Sequence, residues 1–101
     1  MKTTRRRYLS FLLHSDDSSL DDKKLGAAIW KNLLSLYGEV SAADSKLYLV
    51  EFDESNGAGI LQCTASSLNK VITSAVLIGS IGQSPVSFEP KKTSGTIKGL
   101  K

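Results

Sequence analysis

The chain has 101 residues, 41% of them hydrophobic and 23% charged, which is enough for one domain around a single core and leaves little room for a second. Its one cysteine, Cys63, excludes an internal disulfide and a cysteine-cluster metal site and fits a reducing compartment, so a cytoplasmic location is expected. The net charge of +3 is segregated: eight of the 13 basic residues lie in residues 1–7 and 91–101, where there is no carboxylate, and five lysines face all ten carboxylates in between.

Arg5 to Arg7 precede the apolar stretch Tyr8 to Leu13. That stretch is too short for a signal peptide, contains Ser10 and has no small-residue cleavage pattern. No apolar run reaches the roughly 18 residues of a membrane span, so a soluble protein is expected. Arg7 to Ser15 reads as a strand, bounded by the turn cluster Asp16 to Ser19. Ser19 then caps a helix with Asp22 as its capping-box partner. Leu25, Ile29, Leu33 and Leu36 form the apolar stripe of that helix, Trp30, Leu34 and Tyr37 widen it, and Gly38 is its expected end. Lys46 to Asp53 and Gly59 to Thr64 read as antiparallel strands joined by an Asn56-Gly57 hairpin with positive φ at both central positions. Ser66 or Ser67 caps a second helix, whose stripe is Leu68, Val71, Ile72, Ala75 and Ile78 and whose end is Gly79. Gly82 to Pro85 is expected as a loop and Val86 to Glu89 as a short last strand.

This order predicts an α+β, ferredoxin-like (RRM-like) split βαββαβ sandwich, a four-stranded antiparallel sheet with two helices on one face. One domain over residues 1–101 would then carry basic arms at 1–7 and 91–101. The first two strands are apolar on both phases, so the second sheet face should be covered by a partner, a second copy or the tail folding back. Flexible cationic arms suit a polyanion, because each cation that meets a phosphate releases a condensed counterion.

No catalytic constellation is visible. His14 is the sole histidine and sits beside Ser15, Asp16 and Asp17, but neighbours along a strand point to opposite faces and cannot relay a proton. The pairs Asp16 with Asp17, Asp21 with Asp22 and Asp53 with Glu54 sit at turns and at a helix start, where capping and solvation account for them. The GxG of Gly57 and Gly59 precedes a strand, whereas phosphate loops follow one. The GxxG of Gly79 to Gly82 follows a helix and lacks basic neighbours. Base stacking of the RRM kind would use aromatics on the two central strands; the first offers Tyr8 and Phe11, the third none. RNA binding is therefore expected to rest on charge and shape.

Several segments resemble the archaeal and eukaryotic ribonuclease P protein component 2 family. They are Arg7-Tyr8-Leu9, Ser15-Asp16-Asp17, Leu20-Asp21-Asp22, Gly38, Ala42-Ala43, Gly59-Ile60-Leu61-Gln62-Cys63 and Ser94-Gly95-Thr96-Ile97-Lys98. The match spans nearly the whole chain and is closer to archaeal members, since no long acidic tail follows. The family commonly has arginine before the cysteine of the third strand, where this chain has Gln62, which shifts the expected RNA contacts to the two arms. The resemblance implies a non-catalytic subunit of the ribonucleoprotein that removes the 5′ leader of precursor tRNA. It further implies that the RNA holds the Mg2+ and performs the hydrolysis, with no cofactor on the protein. The implied partners are ribonuclease P RNA, the barrel-shaped component 3 and a second copy of the chain in a central dimer. Arg5, Arg6, Arg7, Tyr8, Lys91, Lys92 and Lys98 are the candidate RNA-binding residues. The competing class is a ferredoxin-like protein-interaction or small-ligand regulatory module.

Overall fold

The structure, a computed structural model, describes residues 5–16 and 20–100. Leu9, Phe11 and Leu13 alternate along strand β1 (Arg6–Ser15) and are all buried. Period-two burial of this kind puts one sheet face on the core. The expected cap Ser19 lies outside the described residues. Helix α1 (Asp22–Ser45) is instead capped by Asp21, whose Oδ1 accepts from the Lys24 N–H at 2.9 Å.

Gly38 does end a helical run, with φ of +88°, but the chain re-enters a helix and continues to Ser45. The break redirects the axis. Leu25, Ile29 and Leu33 before it and Ala42 after it are fully buried, whereas Leu36, expected in the stripe, is 46% exposed and Trp30 and Tyr37 remain exposed. Lys46 caps the second run in the left-handed conformation, so strand β2 begins only at Tyr48 (Tyr48–Phe52).

Between β2 and strand β3 (Ala58–Thr64) the chain makes a five-residue turn rather than a two-residue hairpin. Only Gly57 has positive φ, and Asp53 organises the loop through Ser55, whose N–H and hydroxyl both donate to its Oδ1. These bonds hold the Asp53 carboxyl below the usual carboxylate range. A 3-10 turn (Ala65–Ser67) leads into helix α2 (Leu68–Val76); Ser67 occupies the cap position without a side-chain cap bond, and Ser66 lies inside the turn. The helix stops at Val76, short of Gly79.

The expected loop Gly82 to Pro85 is largely a hairpin. Strand β4 (Ser80–Ile81) turns through Gly82, with φ of +63°, and Gln83 into strand β5 (Ser84–Ser94). This last strand is far longer than Val86 to Glu89, so residues 91–94 are sheet and not a free arm. Pro90 is accommodated where the β1–β5 register shifts at Ser10/Phe11, since a bulge does not require its missing N–H.

The sheet order is β2-β3-β1-β5-β4, all antiparallel, which is the ferredoxin-like order with the two-residue β4 added at one edge. The core joins Leu9, Phe11, Leu61, Cys63 and Phe88 of the sheet to Leu25, Ile29, Leu33, Val71 and Ala75 of the helices. Phe11 stacks on Phe88 at 4.6 Å between centroids and on Phe52 at 6.2 Å, so it faces the helices and is not available on the open face. Ile60 is also buried, 6% exposed, yet lies outside that core. It sits on the opposite face, where Leu100 of a second 3-10 turn (Lys98–Leu100) shares a groove with Ser10, Leu12 and Ala58. The tail folding back therefore covers part of the second face. No helix among the described residues is long and apolar enough to cross a membrane.

Two checks follow. A Cβ on Gly59 would lie 2.4 Å from Phe11 Cζ and 2.8 Å from the Glu51 carbonyl, whereas one on Gly79 meets nothing within 4 Å. Gly59→Ala should therefore lose about 1–3 kcal/mol in urea denaturation, and Gly79→Ala should stay within about 0.5 kcal/mol of the parent. Burial pushes the Cys63 thiol up to about 11. A raised value favours the protonated thiol in the fold, a contribution present below the unfolded value and lost as pH rises through the folded one. At pH 8 an aromatic disulfide reagent should leave Cys63 untouched in the native protein and label it at once in denaturant; equal rates would contradict the burial.

Candidate nucleic-acid interface

The β1 ladders decide which cations meet. On one side Arg6 pairs with Thr64, Arg7 with Cys63 and Tyr8 with Gln62; on the other Tyr8 pairs with Ser94 and Ser10 with Lys92. The start of β1 and the end of β5 thus lie side by side, because antiparallel neighbours run in opposite directions. Arg5 enters this corner with its carbonyl accepting from the Ala65 N–H at 2.8 Å, which ties it to the end of β3. Arg5 and Arg6 are exposed, and Arg7 and Tyr8 are half-buried.

Arg7 reaches the other chain end directly. A Cβ on Gly95 would come within 3.2 Å of Arg7 Nη1, so the guanidinium lies close over Gly95. Beyond it Ser94 Oγ accepts from the Thr96 N–H at 3.2 Å and Thr96 Oγ1 accepts from the Gly99 N–H at 3.1 Å. These bonds curl the segment Ser94 to Lys98 into a hook and hold exposed Lys98 near the sheet. Lys92 is held by Ser10, whose Oγ accepts from the Lys92 N–H at 3.1 Å and donates to the Lys92 carbonyl at 3.2 Å.

Lys91 differs from the rest. Its Nζ lies 2.9 Å from Glu89 Oε2, while His14 Nε2 lies 2.8 Å from Glu89 Oε1. The hydrogen bond from His14, and then that from Lys91, hold the Glu89 carboxyl below the usual range. Among the described residues Arg5, Arg6, Arg7, Lys92 and Lys98 have no carboxylate partner. The arrangement is a cationic corner made of strand ends and a hook, and it offers charge to an extended anion. Lys2 and Lys101 lie outside the described residues. No group of three or more His, Cys, Asp or Glu side chains among the described residues is placed to hold a metal ion.

The register also assembles a row that the sequence reading missed. Tyr48 of β2 pairs with Gln62, so Tyr48, Gln62, Tyr8 and Ser94 follow one another across four strands on the face away from the helices. Tyr48 is 60% exposed. Strand alternation put Tyr48 on that phase, but nothing in the sequence placed it in register with Tyr8.

Residues 7–101 match the profile of the Rpp14/Pop5 family. The chain is 33% identical over 97 residues to ribonuclease P protein component 2 of Pyrococcus furiosus, covering 96% of this chain and 80% of that one. It is 35% identical over 98 residues to the component of the same name from Archaeoglobus fulgidus, covering 97% and 86%. A chain in the cryo-EM structure of yeast ribonuclease MRP superposes with a TM-score of 0.72 over 95% of this chain and 78% of that one, at 12% identity, which establishes likeness of fold.

Pairing to Glu89 should make Lys91 the weaker anion contact of the two adjacent lysines. On a phosphate-bearing cation exchanger, Lys92→Ala should elute at clearly lower salt than Lys91→Ala, and Glu89→Gln, which releases Lys91, at higher salt than the parent. Equal elution of the two lysine variants would show that the ion pair does not restrain Lys91.

Proposed function

Because the chain belongs to the Rpp14/Pop5 family and is a protein subunit of the tRNA-processing ribonucleoprotein ribonuclease P, we propose that its cationic corner is where it holds the ribonuclease P RNA. In this reading Arg5, Arg6, Arg7, Lys92 and Lys98 neutralise phosphates brought close together in the folded RNA, with Lys91 a weaker contributor and Tyr8 beside them. The observation that carries it is the convergence of the two basic chain ends, through the β1–β5 ladder, on a corner without a carboxylate partner among the described residues. Neutralising close phosphates lowers the demand for divalent counterions. The Mg2+ ions and the hydrolysis of precursor tRNA then belong to the RNA, and the protein supports the active fold without cofactor or catalytic residue of its own. Ribonuclease P protein component 3 and a second copy of this chain are the protein partners proposed for the apolar surfaces left exposed, among them Trp30, Leu36 and Val40 of α1. A cytoplasmic particle fits the single reduced cysteine. The alternative of a small-ligand regulatory module gives way to the family membership.

With about four of these cations on phosphates at once, log affinity for ribonuclease P RNA should fall against log salt with a slope of roughly −3 to −4. Replacing Arg5 and Arg6 by alanine should flatten the slope by about two and raise the magnesium required for cleavage by the reconstituted particle. A slope near zero for the unaltered protein would refute the proposal.

A further inference from the structure

We infer that the row Tyr48, Gln62 and Tyr8 on the open sheet face is a stacking platform for unpaired RNA bases. This rests on the reading of the cationic corner as an RNA contact and adds to it a site of a different kind, one that takes bases rather than phosphates.

The pairings Tyr48 with Gln62 and Gln62 with Tyr8 are direct cross-strand neighbours, so the three side chains project from the same face. That face is the one away from the helices, since their chain neighbours Leu9, Leu49 and Leu61 pack into or against the core. Adjacent strands lie roughly 4.8 Å apart, which separates the two phenol rings by about 10 Å with the amide between them. Rings at this spacing are within reach of bases of one extended strand, and an amide carries both a donor and an acceptor for a base edge. The Gln62 amide has no hydrogen-bond partner among the described residues, and Tyr48 is 60% exposed.

Two features select single-stranded RNA over an apolar protein segment as occupant. The first is charge. Arg6 precedes Tyr8 by two residues and Lys92 lies opposite Ser10, so cations flank the row at its β1 and β5 side. The carboxylates of the same face, Glu51 and Glu89, are paired with Ile60 and Leu12, in the rows beyond. The second is the hook. Leu100 shares its groove with Ser10, Leu12 and Ile60, while in the row Tyr48 is exposed and Gln62 and Tyr8 are half-buried. The apolar part of the face is thus already occupied by the chain itself. What stays open is aromatic, amide and cationic, the composition that binds unpaired nucleotides.

The test uses fluorescence anisotropy on the full chain with two probes, an unstructured oligoadenylate and an RNA duplex of equal length. Tyr48→Ala should weaken oligoadenylate binding by about 5- to 50-fold while leaving the duplex affinity and the salt slope unchanged. Tyr48→Phe should stay within twofold of the parent, because the ring and not the hydroxyl stacks. Circular dichroism of both variants should match the parent. Oligoadenylate affinity within twofold for Tyr48→Ala, equal weakening toward the duplex, or failure of phenylalanine to rescue would each overturn the inference. So would loss of a protein subunit from the reconstituted particle on Tyr48→Ala with RNA affinity intact, which would assign the row to a protein contact. A salt-sensitive parent with an indifferent Tyr48→Ala refutes the platform alone, whereas a salt-insensitive parent refutes the cationic corner on which it rests.

Discussion

Strand β1 is hydrogen-bonded along both edges, to β3 on one side and to β5 on the other, and the rest of the molecule is arranged around that double ladder. Its alternation sends Leu9, Phe11 and Leu13 into the core and Tyr8, Ser10 and Leu12 to the opposite face. Because side chains repeat every two residues, a one-residue slip would exchange the two sets. The Phe11 ring resists such a slip. It is stacked between Phe88 and Phe52 and occupies the space left by the missing side chain of Gly59.

The same ladder creates the functional corner. Antiparallel pairing of β1 with β5 brings the chain's beginning next to its end, so two basic segments more than eighty residues apart become neighbours without any attraction between them. Their mutual repulsion is held in place by backbone hydrogen bonds, by Ser10 bridging to Lys92 and by Arg7 lying over Gly95. A corner of like charge maintained in this way is pre-organised for an anion, and ordering it on binding costs less than gathering two free arms would. Glu89 limits the corner on one side by engaging Lys91 and His14.

Much of the architecture was legible from local pattern. The stripe of Leu25, Ile29 and Leu33, the alternation of β1 and the glycines near the turns led to the ferredoxin-like order and to the helix-covered face. The family was legible as well, through short segments such as Arg7-Tyr8-Leu9 and Ser94 to Lys98 that a profile over residues 7–101 bears out. The departures have tertiary causes. Residues 90–94 carry a proline and two lysines and read as a solvated tail, but β1 offers unpaired backbone groups that the segment satisfies as strand. Gly38 reads as a stop and is a kink, because the segment after it buries Ala42 and Ser45 and so continues to pack.

Sequence alone determined the order of the two helices and the four main strands, most of their core-facing residues and the confinement of excess positive charge to the chain ends, since periodicity and composition are properties of neighbours along the chain. Tertiary structure decided that those ends form one corner, that Lys91 is paired while Lys92 is not, that the tail covers Ile60, and that Tyr48, Gln62 and Tyr8 stand in one row. The corner and the tyrosine row depend on strand register, which is set by backbone hydrogen bonds between residues distant in sequence and leaves no mark on the local pattern of either strand.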